Sequence, residues 1–151
     1  MTFRAKRVDL KRCVQIACDR SGLTMTEYSI NAGRDSRWIS KALSSKSALS
    51  YRTMRQICNA LGLGFIELLA IQDANFKSRN IKNLDVDFSL CVHIALNKRG
   101  LFKTQASRKV GKARCWMTHA LNRGNMSLRV MYLCADAVDM ELIDLLTICE
   151  K

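Results

Sequence analysis

The chain contains no proline, only two histidines, and seven cysteines with no Cys-x-x-Cys pair. An odd cysteine number argues against a disulfide framework, and the histidines supply no metal-ligand spacing. No apolar run reaches the ~18 residues that a membrane-spanning helix needs. Met1 to Arg12 is basic and polar, unlike a secretory signal. We therefore expect a cytoplasmic protein with no metal, no cofactor and no membrane contact.

Residue combinations typical of catalysis are also missing. The sequence offers no plausible Ser/His/Asp set, no paired carboxylates and no glycine-rich loop of the kind that cradles phosphates. Gly62 and Gly64 are separated by one residue and fit a turn between helices. The sequence predicts no catalytic residues, and we do not expect an enzyme.

Acidic residues are scarce and unevenly placed. The chain has 25 Lys and Arg against 13 Asp and Glu, a net charge of +12. Residues 1–46 carry ten basic residues against four acids, and residues 87–126 carry eight against one. Residues 127–151 carry two against five. Such a distribution indicates a polyanionic partner, most simply a nucleic acid.

The second half of the chain repeats the first. Identities recur 78 residues apart, and after a one-residue deletion they continue 77 residues apart. Two copies of a unit of roughly 65 residues explain this pattern, because its period is too long for a solenoid. The predicted domains are residues 1–72 and 85–151, joined by a linker at 73–84. Repeated positions include Asp9/Asp87, Gly22/Gly100, Ser29/Ser107, Gly33/Gly111, Trp38/Trp116 and Ser50/Ser127.

Apolar residues recur at helical spacing in both copies, which predicts an all-α fold with five short helices per copy. Thr24 and Glu27 form a capping-box pattern at the start of the second helix, whereas Phe102 provides a weaker start in the second copy. The third helices are expected at Ser36 to Leu43 and Arg114 to Leu121. We interpret four cysteines at apolar helical positions as buried, reduced core residues: Cys13, Cys58, Cys91 and Cys134.

The stretch from Leu23 to Leu43 is a helix, a glycine-containing turn and a second helix, which is the helix-turn-helix pattern. With the segments that follow it, it resembles the lambda-repressor/Cro-like, or XRE, DNA-binding family over most of each copy. The resemblance implies two tandem five-helix domains, each with its third helix in the DNA major groove. Met25 and Lys103 replace the glutamine usual in that family, and Arg34 and Lys112 replace an apolar residue.

The resemblance assigns DNA contacts to two sets of residues. Arginine can pair with guanine O6 and N7, hydroxyls can serve several base edges, and flanking cations suit the phosphate backbone. In the first copy the expected contacts are Thr24, Arg34, Ser36, Arg37, Ser40, Lys41 and Lys46. In the second copy they are Lys103, Lys112, Arg114, Cys115, Thr118, His119, Arg123 and Asn125.

The base-contacting positions differ between the copies although the scaffold repeats. The resemblance implies a transcriptional regulator of the phage or mobile-element repressor type, and the differing positions predict that it occupies an asymmetric double-stranded DNA site. A single chain would then act as a pseudo-dimer of its two copies. A homodimer of two chains would instead recognise a longer composite palindrome. We interpret Trp38 and Trp116 as packing residues, with contact to a thymine methyl or a sugar as the alternative.

Two other functions stay open at this point. One is a helix-turn-helix scaffold for protein contact, such as an antirepressor or antitoxin, with the acidic C-terminal helices as its surface. That surface would include Asp136, Asp139, Glu141 and Asp144. The other is binding to structured RNA, which the charge permits although no aromatic stacking motif supports it.

Overall fold

The computed structural model describes residues 3–44, 49–72, 87–122 and 126–148. Over these ranges the chain is all-helical, with ten α-helices and no strand, as the periodicity predicts. None of the helices in the described ranges has both the length and the apolar character required to cross a membrane. The predicted linker at 73–84 lies outside the described residues.

Contacts divide the chain into two compact units. The first unit is Val8–Leu84, and the second combines Met1–Arg7 with Asp85–Lys151. The first unit contains α1 (Leu10–Ser21), α2 (Met25–Asn31), α3 (Trp38–Ser44), α4 (Tyr51–Leu61) and α5 (Phe65–Leu69). The second contains α6 (Phe88–Arg99), α7 (Lys103–Lys109), α8 (Trp116–Asn122), α9 (Leu128–Ala137) and α10 (Leu142–Leu146).

Side-chain caps define the helix starts of the first unit. Asp9 accepts a hydrogen bond from Arg12 N–H at α1, and Ser50 accepts one from Thr53 N–H at α4. The predicted capping box is confirmed, since the Thr24 hydroxyl accepts from Glu27 N–H. Caps of this kind satisfy backbone N–H groups that have no partner inside the helix.

The same devices recur in the second unit, with two substitutions. Asp87 and Ser127 cap α6 and α9 as Asp9 and Ser50 cap their counterparts. At α7, Phe102 has no side-chain acceptor, and only its N–H is satisfied, by Gln105 Oε1 at 2.8 Å. Asp139 has a φ of 56° after α9, where the first unit has a glycine. A left-handed backbone at a non-glycine residue is uncommon.

The predicted apolar stripes form the core of each unit. In the first unit, α1 packs against α2, α3 and α5, and α4 packs against α2 and α5. In the second, α6 packs against α8 and α10, and α9 packs against α7 and α10. The largest fully buried side chains of the two cores are Val14, Ile39, Met54, Ile57, Leu68, Val92, Met117, Met131, Val138 and Leu145.

The structure assigns residues 5–7 to the second unit, whereas the sequence predicts them in the first domain. They pack on the second unit, where Ala5 is buried and the Arg7 guanidinium pairs with Asp136 at 2.7 Å. The hydrogen bond to Asp136 raises the pKa of Arg7 above its ordinary value. We call the contacts of residues 5–7 with the second unit the N-terminal clasp.

Candidate nucleic-acid interface

Each unit contains two short helices joined by a tight turn, residues 24–44 in the first unit and 102–122 in the second. We call these the first and second helix pairs. In the first pair, the buried Ser29 hydroxyl donates to Met25 O at 2.8 Å and accepts from Ile39 N–H at 3.2 Å. It therefore ties α2 to the N-terminus of α3, where backbone N–H groups have no partner within the helix.

The second helix pair repeats this bond. Ser107, also fully buried, donates to Lys103 O at 2.9 Å and accepts from Met117 N–H at 3.0 Å. The sequence repeat included Ser29 and Ser107 without indicating a role for them. A hydroxyl repeated inside an otherwise apolar helix face is the signal that identifies such a brace.

The turns that connect the helices are also equivalent. Gly33 and Gly111 have φ values of 74° and 72°, which a side chain would disfavour. Arg34 N–H donates to Ser29 O, and Lys112 N–H donates to Ser107 O, both at 3.0 Å. Because the backbone is fixed just before them, Arg34 and Lys112 occupy equivalent places at the end of each turn.

The third helices begin two residues later than predicted. The expected starts were Ser36 and Arg114, whereas α3 begins at Trp38 and α8 at Trp116. Asp35 accepts from Arg37 N–H at 2.8 Å and its carbonyl accepts from Trp38 N–H, so residues 36 and 37 form a turn. The residues expected to contact bases therefore straddle the turn and the first part of the helix.

The proposed contact residues of the first copy lie on the surface. Lys46 lies outside the described residues. The exposed members of this set are Thr24, Arg34, Ser36, Arg37, Ser40 and Lys41. The second set is more mixed, since Lys103 and Thr118 are half-buried while Arg123 and Asn125 lie outside the described residues. Its exposed members are Lys112, Arg114, Cys115 and His119.

One of these cations is held over an aromatic ring. The Arg34 guanidinium carbon lies 4.9 Å from the centre of the Trp38 ring, within the range of a cation–π interaction. Trp38 and Trp116 are half-buried, whereas the residues that follow them, Ile39 and Met117, are fully buried. The tryptophans thus combine packing with an accessible edge beside the proposed contact residues.

The two helix pairs carry different charges. Residues 24–44 contain three Lys and Arg against two acids, and residues 102–122 contain five against none. Both acids of the first pair serve its backbone: Glu27 accepts from Thr24 N–H at 3.2 Å, and Asp35 accepts from Arg37 N–H. The second helix pair therefore has the stronger positive field.

Thr24 has a local task that limits other contacts. Its hydroxyl accepts from Glu27 N–H at 3.1 Å and lies 3.2 Å from a Glu27 carboxylate oxygen. An approaching phosphate would meet this carboxylate. In the second unit, the neutral residues Phe102 and Gln105 stand at the equivalent positions, and basic residues follow them. No carboxylate would repel a phosphate there.

Three of the four acidic residues considered as a partner-binding surface have partners inside the second unit. Asp136 pairs with Arg7, and Asp139 pairs with the Lys109 ammonium at 2.5 Å. Glu141 accepts from Lys6 N–H at 2.8 Å. Asp144 is exposed.

The burial predicted for Cys13, Cys58, Cys91 and Cys134 is confirmed. Burial raises the pKa of the Cys58 and Cys134 thiols to about 12. Cys115 is exposed on the second helix pair. Among the described residues, no group of three or more His, Cys, Asp or Glu side chains is arranged to hold a metal ion.

Comparison with known proteins finds no matching family model, no matching curated protein and no matching solved structure.

Proposed function

We propose that this protein is a sequence-specific double-stranded DNA-binding regulator of transcription. In this proposal each unit is a lambda-repressor-like helix-turn-helix domain, with α3 and α8 in the major groove. It acts as a repressor of the phage or mobile-element type by occupying an operator. No catalytic step is part of this function.

The observation that carries the proposal is the pair of braced turns followed by exposed basic and hydroxyl side chains. The Ser29 and Ser107 bonds fix the backbone beside these residues, and a rigid frame is what base-edge recognition requires. Exposed guanidinium and ammonium groups follow each turn. A net charge of +12 supplies the long-range attraction to a polyanion.

The second element of the proposal is that the two helix pairs recognise different sequences. Ser36, Arg37 and Lys41 stand where the second pair has Arg114, Cys115 and His119. Each arginine suits a guanine, but they occupy different positions in their helix pairs. One chain would therefore prefer two dissimilar half-sites, with the second pair supplying more of the electrostatic affinity.

The protein-contact alternative receives less support from the contacts. An acidic docking surface is strongest where its carboxylates have no partner of their own, whereas Asp136 is buried, and Asp139 and Glu141 already have partners within the second unit. Binding to structured RNA stays an outcome of the experiment below, because charge alone does not discriminate between duplexes.

A mobility-shift titration of the full chain tests the proposal. The probes are random duplex DNA, a duplex selected by the protein, and a structured RNA of equal length, each at low and moderate salt. We expect binding to both DNAs at low salt and to the selected DNA alone at moderate salt. Two double variants, R37A/K41A and R114A/H119A, should each weaken binding to selected DNA.

The control variant is Arg12→Ala, which removes one exposed positive charge from α1, outside the helix pairs. It should leave the preference for selected over random DNA unchanged. Absence of DNA binding at low salt, or tighter binding to the RNA, would overturn the proposal.

A further inference from the structure

The N-terminal clasp is a built polar site. The Asp136 side chain belongs to a residue only 8% exposed, and its carboxylate accepts three hydrogen bonds from the N-terminal segment. Arg7 donates one from each terminal nitrogen, at 2.8 and 2.7 Å, and Ala5 N–H donates the third at 2.6 Å. The bidentate arrangement of Arg7 and Asp136 is the strong form of an arginine–carboxylate pair.

Further contacts make the segment rigid. Arg7 also donates to Ala5 O at 2.8 Å, which closes residues 5–7 into a hook, and its guanidinium lies 5.1 Å from the Tyr132 ring centre. Lys6 N–H donates to Glu141 at 2.8 Å. Ala5 is 2% exposed. A segment without regular secondary structure is therefore held at three consecutive residues.

The first copy does not repeat the receiving residues. At the repeat spacing, Asp136, Tyr132 and Glu141 correspond to Asn59, Arg55 and Gly64. A neutral amide cannot replace the carboxylate, and an arginine would repel Arg7. The repeat thus departs from its pattern at the three positions that hold the segment, so the clasp is specific to the second unit.

The clasp gives the chain an unusual path. The polypeptide leaves the second unit at Arg7, forms the first unit, and returns to the second unit at Asp85. We infer that the Arg7–Asp136 pair gives the first unit a second connection to the second unit, at the N-terminal end of the first unit, in addition to the covalent chain at its C-terminal end. A chain joined only through residues 73–84 would allow a separation of about 40 Å across those twelve residues.

This tie has a consequence that rests on the proposed function. Two linked DNA-binding units occupy neighbouring half-sites together only at separations that their connection allows. A second connection narrows those separations. Arg7 and Asp136 are therefore specificity determinants for half-site spacing, although they lie outside the helix pairs.

The experiment compares Arg7→Ala with Arg4→Ala, because Arg4 is an exposed cation in the same segment and its loss changes the charge equally. The double variant R7A/D136N also lacks the Arg7–Asp136 pair of the clasp but leaves no unpaired buried carboxylate, which protects the second unit from unfolding. Helix content from circular dichroism identifies any variant that fails to fold.

Small-angle X-ray scattering of the free chain is the first measurement. We expect a larger radius of gyration and maximum dimension for R7A and R7A/D136N than for wild type and R4A. If R7A loses helix content, the comparison of dimensions uses the folded R7A/D136N variant in its place. Scattering curves that superimpose for the folded clasp variant, R4A and wild type would overturn the tie.

The second measurement is binding to duplexes that carry the two selected half-sites at increasing separations. Wild type and R4A should bind some half-site separations more tightly than others. Loss of the Arg7–Asp136 pair should reduce the ratio between the highest and lowest of these affinities by about tenfold. An unchanged spacing profile would overturn the role in specificity. Larger dimensions of the clasp variants in scattering, together with no DNA binding by any protein, would support the tie and refute the proposed function.

Discussion

The hydroxyl of Ser29 accepts a hydrogen bond from the backbone N–H of Ile39, ten residues later and in the next helix, at 3.2 Å. Ser107 accepts from Met117 N–H in the same way. Both hydroxyls also donate to a carbonyl of their own helix, so each is satisfied in both roles. This bond joins two helices of seven residues each, which are too short to be stable alone.

Replacing either serine with alanine should destabilise its unit. S29A and S107A each leave a buried N–H without an acceptor, at a cost of about 1–3 kcal/mol. Urea unfolding followed by circular dichroism measures this loss. Ser40→Ala is the matched control, because Ser40 is exposed and its hydroxyl bonds only locally, to Arg37 O. Equal stabilities of S29A and S40A would contradict the bracing role.

Phe102 occupies a helix N-cap that the first copy gives to Thr24. Its side chain offers no acceptor and is 74% exposed, so Phe102→Thr loses little apolar burial and supplies a capping hydroxyl. We expect F102T to raise the free energy of unfolding by about 1 kcal/mol, and Thr24→Ala to lower it by about as much. Thermal unfolding measures both, and a less stable F102T protein would show that Phe102 has a packing role.

The salt dependence of DNA binding should reveal how many cations contact phosphate. Six of the proposed DNA contacts within the described residues are lysine or arginine, namely Arg34, Arg37, Lys41, Lys103, Lys112 and Arg114. If all contribute, the logarithm of the association constant should fall against that of salt concentration with a slope of about −5. Fluorescence anisotropy measures the slope.

Single variants then test individual phosphate contacts. Arg34→Ala and Lys112→Ala should each reduce the slope by about 1, whereas Arg12→Ala on α1 should leave it unchanged. A slope near zero would refute phosphate contact altogether. Equal slopes for R34A, K112A and R12A would place these contacts elsewhere.

Cysteine reactivity should divide sharply between sites. The thiolate is the reactive form, and burial raises the pKa of Cys58 and Cys134 to about 12, so both stay protonated near pH 8. Cys115 is exposed. Mass spectrometry after brief iodoacetamide treatment should find Cys115 modified well before Cys58 and Cys134. Unfolding in guanidinium chloride should remove the difference in modification rate. Comparable modification rates in the native protein would contradict the burial of Cys58 and Cys134.

Local sequence patterns predicted the helices well because their determinants lie close together in the chain. Asp9, Ser50 and the Thr24–Glu27 box each act over three residues. The delayed starts of α3 and α8 were not predicted, because in both units a backbone-bonded turn precedes the helix. Trp38 N–H donates to Asp35 O and Trp116 N–H donates to Ala113 O, so the turn forms with or without an acidic side chain.

The N-terminal clasp could not be predicted in this way. Arg7 and Asp136 are 129 residues apart, and no local pattern connects them. In the sequence, Arg7 is one of several cations in a basic segment, and Asp136 belongs to an acidic stretch that suggested a partner surface. Their pairing depends on packing between α9 and a distant segment, which periodicity does not encode.

Selection of bound duplexes from a randomised DNA pool by the intact chain most directly tests recognition of two different half-sites. We predict an enriched asymmetric site, in which R37A/K41A loses preference at one half and R114A/H119A loses preference at the other. Enrichment of a simple palindrome, or no enrichment over the input pool, would contradict it.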